Sequence, residues 1–282
     1  MNIEKIIKEL IYNKIIPSNQ TDYEQLNGGT VSQVFLLHND RRKYIVKAND
    51  SQIIKAESHF LHTYKELNLL PKLLFVERSN RYIVYSYIDG STQYLRKNKK
   101  EMLQELVKKL INNYKLTDQE IGWGWADEPT DSWKSFLNAE IAAAYKLIGS
   151  RLSKDDYHLI HNLVKKINND RKPFFIHGDC GVHNFIFNNG KLTGVIDPTP
   201  IIGDPMYDLI YAFCSSPEDL TRETFDAAAN LMVVNNYENT YDLVLIGLYL
   251  RIGTCIKHHP EDMGAYLKAW EYWKSVTMKL ER

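Results

Sequence analysis

The sequence predicts an α+β protein with two lobes, a small β-rich N-terminal lobe and a larger, mainly helical C-terminal lobe. Short runs of β character are concentrated before residue 88, and helical periodicity dominates after residue 90. A chain of 282 residues is also long enough for two modest lobes around a shared cleft. We therefore expect one lobe over residues 1–88 and the other over residues 89–282.

The N-terminal lobe contains one predicted helix between its β runs. The β runs cover residues 34–37, 44–47, 73–76 and 82–87, and the helix covers 53–67. Glu57 falls on the apolar face of this helix, whereas Glu66 points the other way. A carboxylate on a packed face is costly unless it is paired, so we expect an ion pair with Lys47, which ends the second β run. A partly exposed Glu57 at the edge of the stripe is the alternative.

The C-terminal lobe is predicted to be helical apart from one β interlude. The predicted helices cover residues 99–114, 132–148, 153–167, 225–234, 242–258 and 261–280. The β runs of the interlude cover 174–176, 185–187 and 192–196. The last two flank the sequence Asn188-Asn189-Gly190-Lys191, and Asn-Gly supplies the positive φ angles that a tight hairpin requires.

Composition excludes several classes of function. Lysine plus arginine and aspartate plus glutamate both total 35, so the formal net charge is zero and no nucleic-acid partner is indicated. The three cysteines include no CxxC pair, which argues against a disulfide framework and a structural zinc site. The first 12 residues lack the apolar core of a signal peptide, and the most apolar stretch, 243–250, is too short to span a membrane. We expect a cytoplasmic protein without membrane association.

The densest chemistry lies in the segment HGDCGVHN at residues 177–184, between two β runs, followed by Asp197 after the hairpin. This order resembles the catalytic and metal-binding segments of the protein-kinase-like fold. Together with Ile196-Asp197-Pro198 and Gly203-Asp204-Pro205-Met206-Tyr207-Asp208-Leu209, it resembles the aminoglycoside phosphotransferase and choline kinase family. The resemblance extends over roughly residues 26–211 and is strongest over residues 177–208.

The resemblance implies a nucleotide-dependent small-molecule kinase that transfers a γ-phosphate to a substrate hydroxyl. Asp179 would accept or orient the proton of the attacking hydroxyl. Asn184 and Asp197 offer the hard oxygen ligands that Mg²⁺ prefers. His177 and Asp208 would support the loop, His177 by holding its shape and Asp208 by tying its backbone from the next helix.

The resemblance also implies where ATP or GTP would bind. Lys47 would grip the α- and β-phosphates, paired with Glu57. The turn containing Gly28, Gly29 and Ser32 would approach the phosphates, although Gly-Gly between strands is most often a simple hairpin. The segment 84–90 resembles the hinge between lobes. There, the Ser86 carbonyl and the Ile88 amide would bind the adenine edge, and Tyr85 would border the base.

The acceptor is predicted to be a small molecule with a hydroxyl group, bound by the helical lobe. An unusual segment contains Trp123, Trp125, Asp127 and Glu128. The tryptophans could stack on sugar rings, and the carboxylates could meet ammonium groups. For the tryptophans, filling the core is an equal alternative. An antibiotic kinase and a metabolic kinase acting on choline, homoserine, thioribose or another sugar both fit. A catalytically silent nucleotide-binding protein is the alternative of another class, and the protein would be a monomer or a homodimer.

Overall fold

An antiparallel sheet forms the N-terminal part of the computed structural model, which describes residues 2–17, 21–26, 32–39, 42–168, 170–234 and 239–280. Its strands are β1 (Asp22–Leu26), β2 (Gln33–His38), β3 (Lys43–Ala48), β4 (Leu73–Val76) and β5 (Tyr82–Ser86). They lie side by side in the order β1-β2-β3-β5-β4, so β3, which carries Lys47, occupies the centre. The predicted β-rich lobe is confirmed.

The two faces of this sheet pack against different partners because successive side chains of a strand point to opposite sides. Leu37, Val46 and Val84 pack with helix α1 (Ile3–Tyr12) in a core of their own. Ile45 and Tyr85 belong to the main core instead, together with helix α2 (Ser51–Thr63) and the C-terminal lobe. This second face is the one that presents Lys47 towards the rest of the molecule.

Helices dominate the chain after residue 98. They are α3 (Lys99–Lys109), α4 (Trp133–Ile148), α5 (Lys154–Lys166), α6 (Pro205–Cys214), α7 (Arg222–Ala229), α8 (Thr240–His258) and α9 (Met263–Leu280). Helix α8 lies against α4, α5, α6 and α9, which makes it the centre of the helical packing. Within the described residues, no helix is long and apolar enough to cross a membrane.

Short strands interrupt the helical lobe and carry its loops. They are β6 (Lys115–Leu116), β7 (Gly124–Trp125), β8 (Phe174–Ile176), β9 (Phe185–Asn188), β10 (Lys191–Val195) and β11 (Ile201–Gly203). Asn188 pairs with Lys191 across the β9–β10 turn, where Asn189 and Gly190 both have positive φ, which confirms the predicted hairpin. Strand β8 leads directly into the 177–184 segment and pairs with β11. Asp197 lies in the segment that leads into β11, so this segment lies next to residues 177–184.

Some elements differ from the sequence-based expectation. Helix α6 was not among the helices predicted from periodicity, because it is buried on nearly all sides and therefore shows no amphipathic stripe. The family resemblance alone implied a helix at Asp208. Its start is nevertheless well specified, since the Asp204 side chain accepts from the Met206 N–H at 2.9 Å and Pro205 occupies the first turn. Helix α2 ends at Thr63, four residues earlier than predicted.

Candidate active site

A buried ion pair links the sheet to helix α2. The Lys47 ammonium lies 2.7 Å from Glu57 Oε2, and both side chains are at most 5% exposed. The same ammonium also contacts the carboxylate of Asp197, which follows strand β10 in the C-terminal lobe and is 43% exposed. Lys47 therefore joins both lobes, and the predicted pairing with Glu57 is present, whereas Glu66 is exposed.

Burial and the neighbouring charges shift the pKa values of Lys47 and Glu57 in opposite directions. Burial opposes the charged form of Lys47, but the carboxylates of Glu57 and Asp197 outweigh it and raise the pKa of the ammonium. Burial raises the pKa of the Glu57 carboxyl to about 7, against the opposing effect of Lys47. Lys47 thus stays cationic at neutral pH, which is the property that a phosphate-binding side chain requires.

Asp179 lies in the turn after β8 and is held by the residues that follow it. The Asn184 amide donates to Asp179 Oδ2 at 2.9 Å and to the Asp179 backbone carbonyl at 3.0 Å. His183 Nε2 lies 3.4 Å from the same carboxylate oxygen. Burial raises the pKa of Asp179, but His183 and the nearby hydroxyl of Tyr211 outweigh it, so the net pKa is lowered. Asp179 is therefore a carboxylate at neutral pH, able to accept a proton.

His177 connects the Asp179 turn to the segment that carries Asp197. The Asp179 N–H donates to His177 Nδ1 at 3.2 Å, which leaves Nε2 as the protonated nitrogen that donates to the Ile196 carbonyl at 3.2 Å. Burial lowers the pKa of His177 to about 4, so the ring is neutral at physiological pH. A second link is the Ile196 N–H bond to the Asn184 carbonyl at 2.9 Å, which places Asn184 beside Asp197.

Asp208 fixes the backbone of the same turn from helix α6. Its carboxylate accepts from the His177 N–H at 2.9 Å, the Gly178 N–H at 3.0 Å and the Tyr114 hydroxyl at 2.6 Å. Burial raises the pKa of Asp208 to about 7, and these three donors oppose the shift. Gly178 has φ +82°, and a Cβ there would overlap the Thr199 carbonyl oxygen, so the turn requires glycine.

The predicted nucleotide-binding residues of the small lobe lie at the end of β5 and near β2. Ser86 is partly buried, and its hydroxyl accepts from the Lys72 N–H at 2.9 Å. Ile88 is also partly buried and approaches Gly194 of β10, which connects the segment to the other lobe. The Ser32 hydroxyl accepts from the Asn49 amide at 2.8 Å, and Gly28 and Gly29 lie outside the described residues.

The Tyr85 side chain is buried in the hydrophobic core and does not line an open pocket for a base. It is 6% exposed and belongs to the main core. Burial raises its pKa, as does the charge of Glu57, which shows that the phenol lies near the Lys47 ion pair. Its placement beside an adenine base stays a prediction.

A cavity of ≈ 240 Å³ opens between helices α4, α6 and α8. Tyr211 lines it and also lies beside the Asp179 carboxylate, so the cavity borders the Asp179 turn. Of the residues predicted to bind the acceptor, Trp125 lines this cavity. Trp123 instead packs against Trp133 at a ring distance of 6.1 Å.

The exposed carboxylates of the same loop, Asp127 and Glu128, do not line the cavity. The carboxylates that line the cavity are Glu140 on α4 and Asp204. The sequence reasoning missed Glu140 as a site residue, as it missed Tyr211 and the contact of His183 with Asp179. A signal for one of these was present, since Tyr211 follows Tyr207 by four residues and both fall on one side of helix α6. Residues 179–181 are not helical, so the contact of His183 with Asp179 had no periodic signal.

Lys47 of the small sheet pairs with Glu57 of helix α2 and also contacts Asp197 of the helical lobe. Together with the neighbouring turn that carries Asp179 and Asn184, this arrangement is that of a protein-kinase-like phosphotransferase. The comparison with protein-family models agrees, since the model for the phosphotransferase enzyme family, APH, matches residues 22–244. The chain belongs to this family, and the predicted class of activity, a phosphotransferase, is confirmed. No curated protein sequence matches the chain.

Solved structures confirm the predicted kinase-like fold. The ternary complex of a thermostable mutant of aminoglycoside phosphotransferase APH(4)-Ia with AMP-PNP and hygromycin B aligns with a TM-score of 0.60 and 18% identity, over 96% of this chain and 97% of that chain. ADP-bound APH(2'')-Ib gives 0.58 and 20% over 95% and 98%. A protein of Haemophilus somnus 129PT, assigned as a fructosamine-3-kinase, gives 0.61 and 16% over 90% of each chain.

Proposed function

We propose that this protein is a small-molecule O-phosphotransferase that transfers the γ-phosphate of ATP or GTP to a substrate hydroxyl. The observation that carries the proposal is the contact of Lys47 with both Glu57 and Asp197, one carboxylate from each lobe. The Asp179 turn is hydrogen-bonded to the segment that carries Asp197 through His177. These contacts link the cation that we assign to the phosphates with the proton acceptor that we propose, across the junction of the two lobes.

The proposed reaction needs little covalent chemistry from the protein. The acceptor oxygen forms a bond to the γ-phosphorus, the bond from that phosphorus to the β–γ bridging oxygen breaks, and the hydroxyl proton moves to Asp179. The products are a phosphate monoester and a nucleoside diphosphate. Such transfer depends mainly on positioning and on neutralising the phosphate oxygens, which are the roles we assign to Asp179 and Lys47.

Asn184 and Asp197 fit the requirements of a magnesium ion. Each offers a hard oxygen ligand, and Mg²⁺ usually combines one or two protein oxygens with waters and substrate phosphates. The hydrogen bond between the Ile196 N–H and the Asn184 carbonyl keeps the two residues adjacent, and Asp197 is exposed enough to reach an ion in the cleft. When bound, Mg²⁺ would neutralise the charge on the β- and γ-phosphate oxygens.

Two of the similar structures contain a nucleotide, AMP-PNP or ADP, and this supports nucleotide binding here. The Ser86 carbonyl and the Ile88 amide are the groups we propose for the adenine edge, with Lys47 on the phosphates. One similar structure contains hygromycin B, and another similar protein is assigned as a fructosamine-3-kinase. Both an antibiotic and a metabolic acceptor therefore fit the proposal.

Substitution of the two aspartates tests the assigned roles. We expect Asp179→Asn to lower kcat by about 10²–10⁴-fold with little change in nucleotide affinity, because the proton acceptor is lost and the nucleotide contacts remain. Asp197→Ala should weaken Mg²⁺-nucleotide binding and also lower the rate. The measurements are nucleotide affinity by calorimetry with Mg²⁺, and product formation by mass spectrometry with an antibiotic and metabolite library.

Asp155→Asn is the matched control, since Asp155 is exposed in the first turn of α5, and it should leave both quantities unchanged. Equal and mild effects of Asp179→Asn and Asp197→Ala would contradict the assignment. Nucleotide binding without phosphate transfer to any compound would instead favour a catalytically silent nucleotide-binding protein.

A further inference from the structure

The cavity between α4, α6 and α8 extends from Tyr211, which lies beside Asp179, to a carboxylate that the proposed mechanism does not use. Tyr211 lies at one end beside Asp179. Tyr207 comes next, and its phenol is within electrostatic range of both Glu140 and Asp179. Glu140 and Trp125 lie further along the same cavity. An acceptor held in this cavity would therefore have one end near Asp179 and another near Glu140.

The wall of the cavity is mainly apolar and aromatic. The side chains that give it this character come from all three helices and from β7, and they include Trp125, Leu137, Tyr207, Ile210, Ile246 and Leu250. Such a wall favours an acceptor with an apolar body, because each Å² of apolar surface removed from water contributes about 25 cal/mol. A heavily hydroxylated ligand would lose hydration there without finding equivalent partners.

Glu140 is the negative charge that this cavity offers to a ligand. Its carboxylate is largely buried, which raises its pKa, and it lies beside the indole N–H of Trp125. Among the described residues, no positively charged side chain shifts the pKa of Glu140. The other carboxylate of the wall, Asp204, is engaged by Arg171. A ligand ammonium next to Glu140 would also lie close to Trp125.

Arg251 sets a limit on the charge of the ligand. Its guanidinium donates to the Tyr266 hydroxyl at 3.0 Å, and its positive charge acts on Tyr211 at the Asp179 end of the cavity. A ligand with several ammonium groups would meet this like charge and would find one carboxylate to pair with. A single ammonium at the Glu140 end avoids Arg251.

We propose that the acceptor is a hydroxyl compound with a largely apolar body and one ammonium group, which occupies this cavity with its ammonium against Glu140 and Trp125. This proposal rests on the proposed phosphotransferase function and names its substrate class. It favours amino alcohols over polycationic sugars and over neutral polyols.

A matched series of compounds tests the substrate class. The probes are dimethylamino alcohols such as trans-2-(dimethylamino)cyclohexanol, with longer spacers and a phenyl body as further members. Each is compared with the isostere in which CH replaces nitrogen, and hygromycin B serves as the polycation. At least one amino alcohol should be phosphorylated with a kcat/KM about 10–100-fold above its isostere, the range expected for a hydrogen bond to a charged group.

Substitution of Glu140 tests the site. Glu140→Gln should abolish most of the preference for the amine over its isostere and leave the KM for the nucleotide unchanged. Glu101→Gln, an exposed glutamate of helix α3, is the matched control and should keep the preference. Binding of the same amines, followed by tryptophan fluorescence with a non-hydrolysable nucleotide present, gives a readout that does not depend on turnover.

The outcomes separate the two proposals. Phosphorylation of hygromycin B or of the neutral isosteres in preference to the amines would overturn the substrate class and leave the phosphotransferase function intact. An amine preference that persists in Glu140→Gln would overturn the assignment of the site, as would failure of every amine to bind the wild-type protein. Amine binding that depends on Glu140 without any phosphate transfer would support the site and contradict the proposed function.

Discussion

His177 shows how one buried side chain can serve both stability and the geometry of the Asp179 turn. It sits between the Asp179 N–H and the Ile196 carbonyl, packs edge-on against Phe60 and has no exposure. The position needs one acceptor and one donor at the separation of the two imidazole nitrogens, which only neutral histidine supplies. Lowering of its pKa is a consequence of this burial.

This environment predicts a pH dependence of stability. The folded-state pKa of His177 is about 4, and the unfolded value is near 6.5, so between these values the unfolded chain binds the extra proton. The stabilising contribution is complete above pH 6.5 and is lost as pH falls towards 4, by about 3 kcal/mol. We expect His177→Phe to remove this slope and to lower stability at pH 7 by about 1–3 kcal/mol.

Urea unfolding at half-unit intervals between pH 4 and 7 measures this effect as the difference between wild type and His177→Phe. The difference cancels the contribution of the titratable groups that both proteins share. His62→Phe, at an exposed position of helix α2, is the control and should retain the wild-type slope. Parallel stability curves for wild type and His177→Phe would contradict the prediction.

At the scale of secondary-structure elements, the connection between helices α3 and α6 depends on a buried lysine. The Lys99 ammonium donates to the carbonyls of Phe213, Ser216 and Glu218 at 3.0, 2.7 and 2.5 Å. Burial lowers its pKa to about 8, so it is still mainly cationic at neutral pH. These bonds satisfy one carbonyl in the last turn of α6 and two in the segment after it, and α6 is the helix that carries Asp208, Tyr207 and Tyr211.

We expect Lys99→Met to destabilise the protein by about 2–4 kcal/mol, because the variant keeps the apolar stem and leaves three carbonyls without their donor. The neighbouring Lys100→Met removes an exposed ion pair with Glu223 and should cost less than about 1 kcal/mol. Denaturant unfolding of both variants measures the difference. A Lys99→Met variant as stable as Lys100→Met would show that water replaces the lost donor.

The sequence predicted those elements and residues that depend on local patterns. The hairpin at Asn189-Gly190 and the face of helix α2 that carries Glu57 follow from turn chemistry and helical periodicity, and both were confirmed. Helix α6 has no polar face, and strands such as β7 are two residues long, so neither gives a periodic signal. The cavity at Glu140 depends on the packing of three helices that are distant in sequence, which one-dimensional patterns do not encode.

At the scale of the whole molecule, the main hydrophobic core crosses the predicted boundary between residues 88 and 89. It includes Ile54 and Phe60 from helix α2 and Phe175 from the helical lobe. The Tyr64 hydroxyl, at the end of α2, donates to the Phe175 carbonyl and accepts from the Lys115 N–H. The division of the chain into two lobes between residues 88 and 89 stays a prediction. For folding, the shared core indicates a single cooperative unit.

We therefore expect the two lobes to unfold in one transition. The five tryptophans all follow residue 122, so their fluorescence reports on the C-terminal lobe, whereas far-UV circular dichroism reports on both lobes. The urea curves from the two probes should coincide, because loss of either lobe exposes the apolar surface of the other.

Tyr64→Phe should shift both curves together, with a loss of about 1–3 kcal/mol, since it leaves the Lys115 N–H and the Phe175 carbonyl without their shared partner. Tyr23→Phe, at an exposed tyrosine of β1, should shift neither, and separate midpoints for the two probes would contradict the single transition.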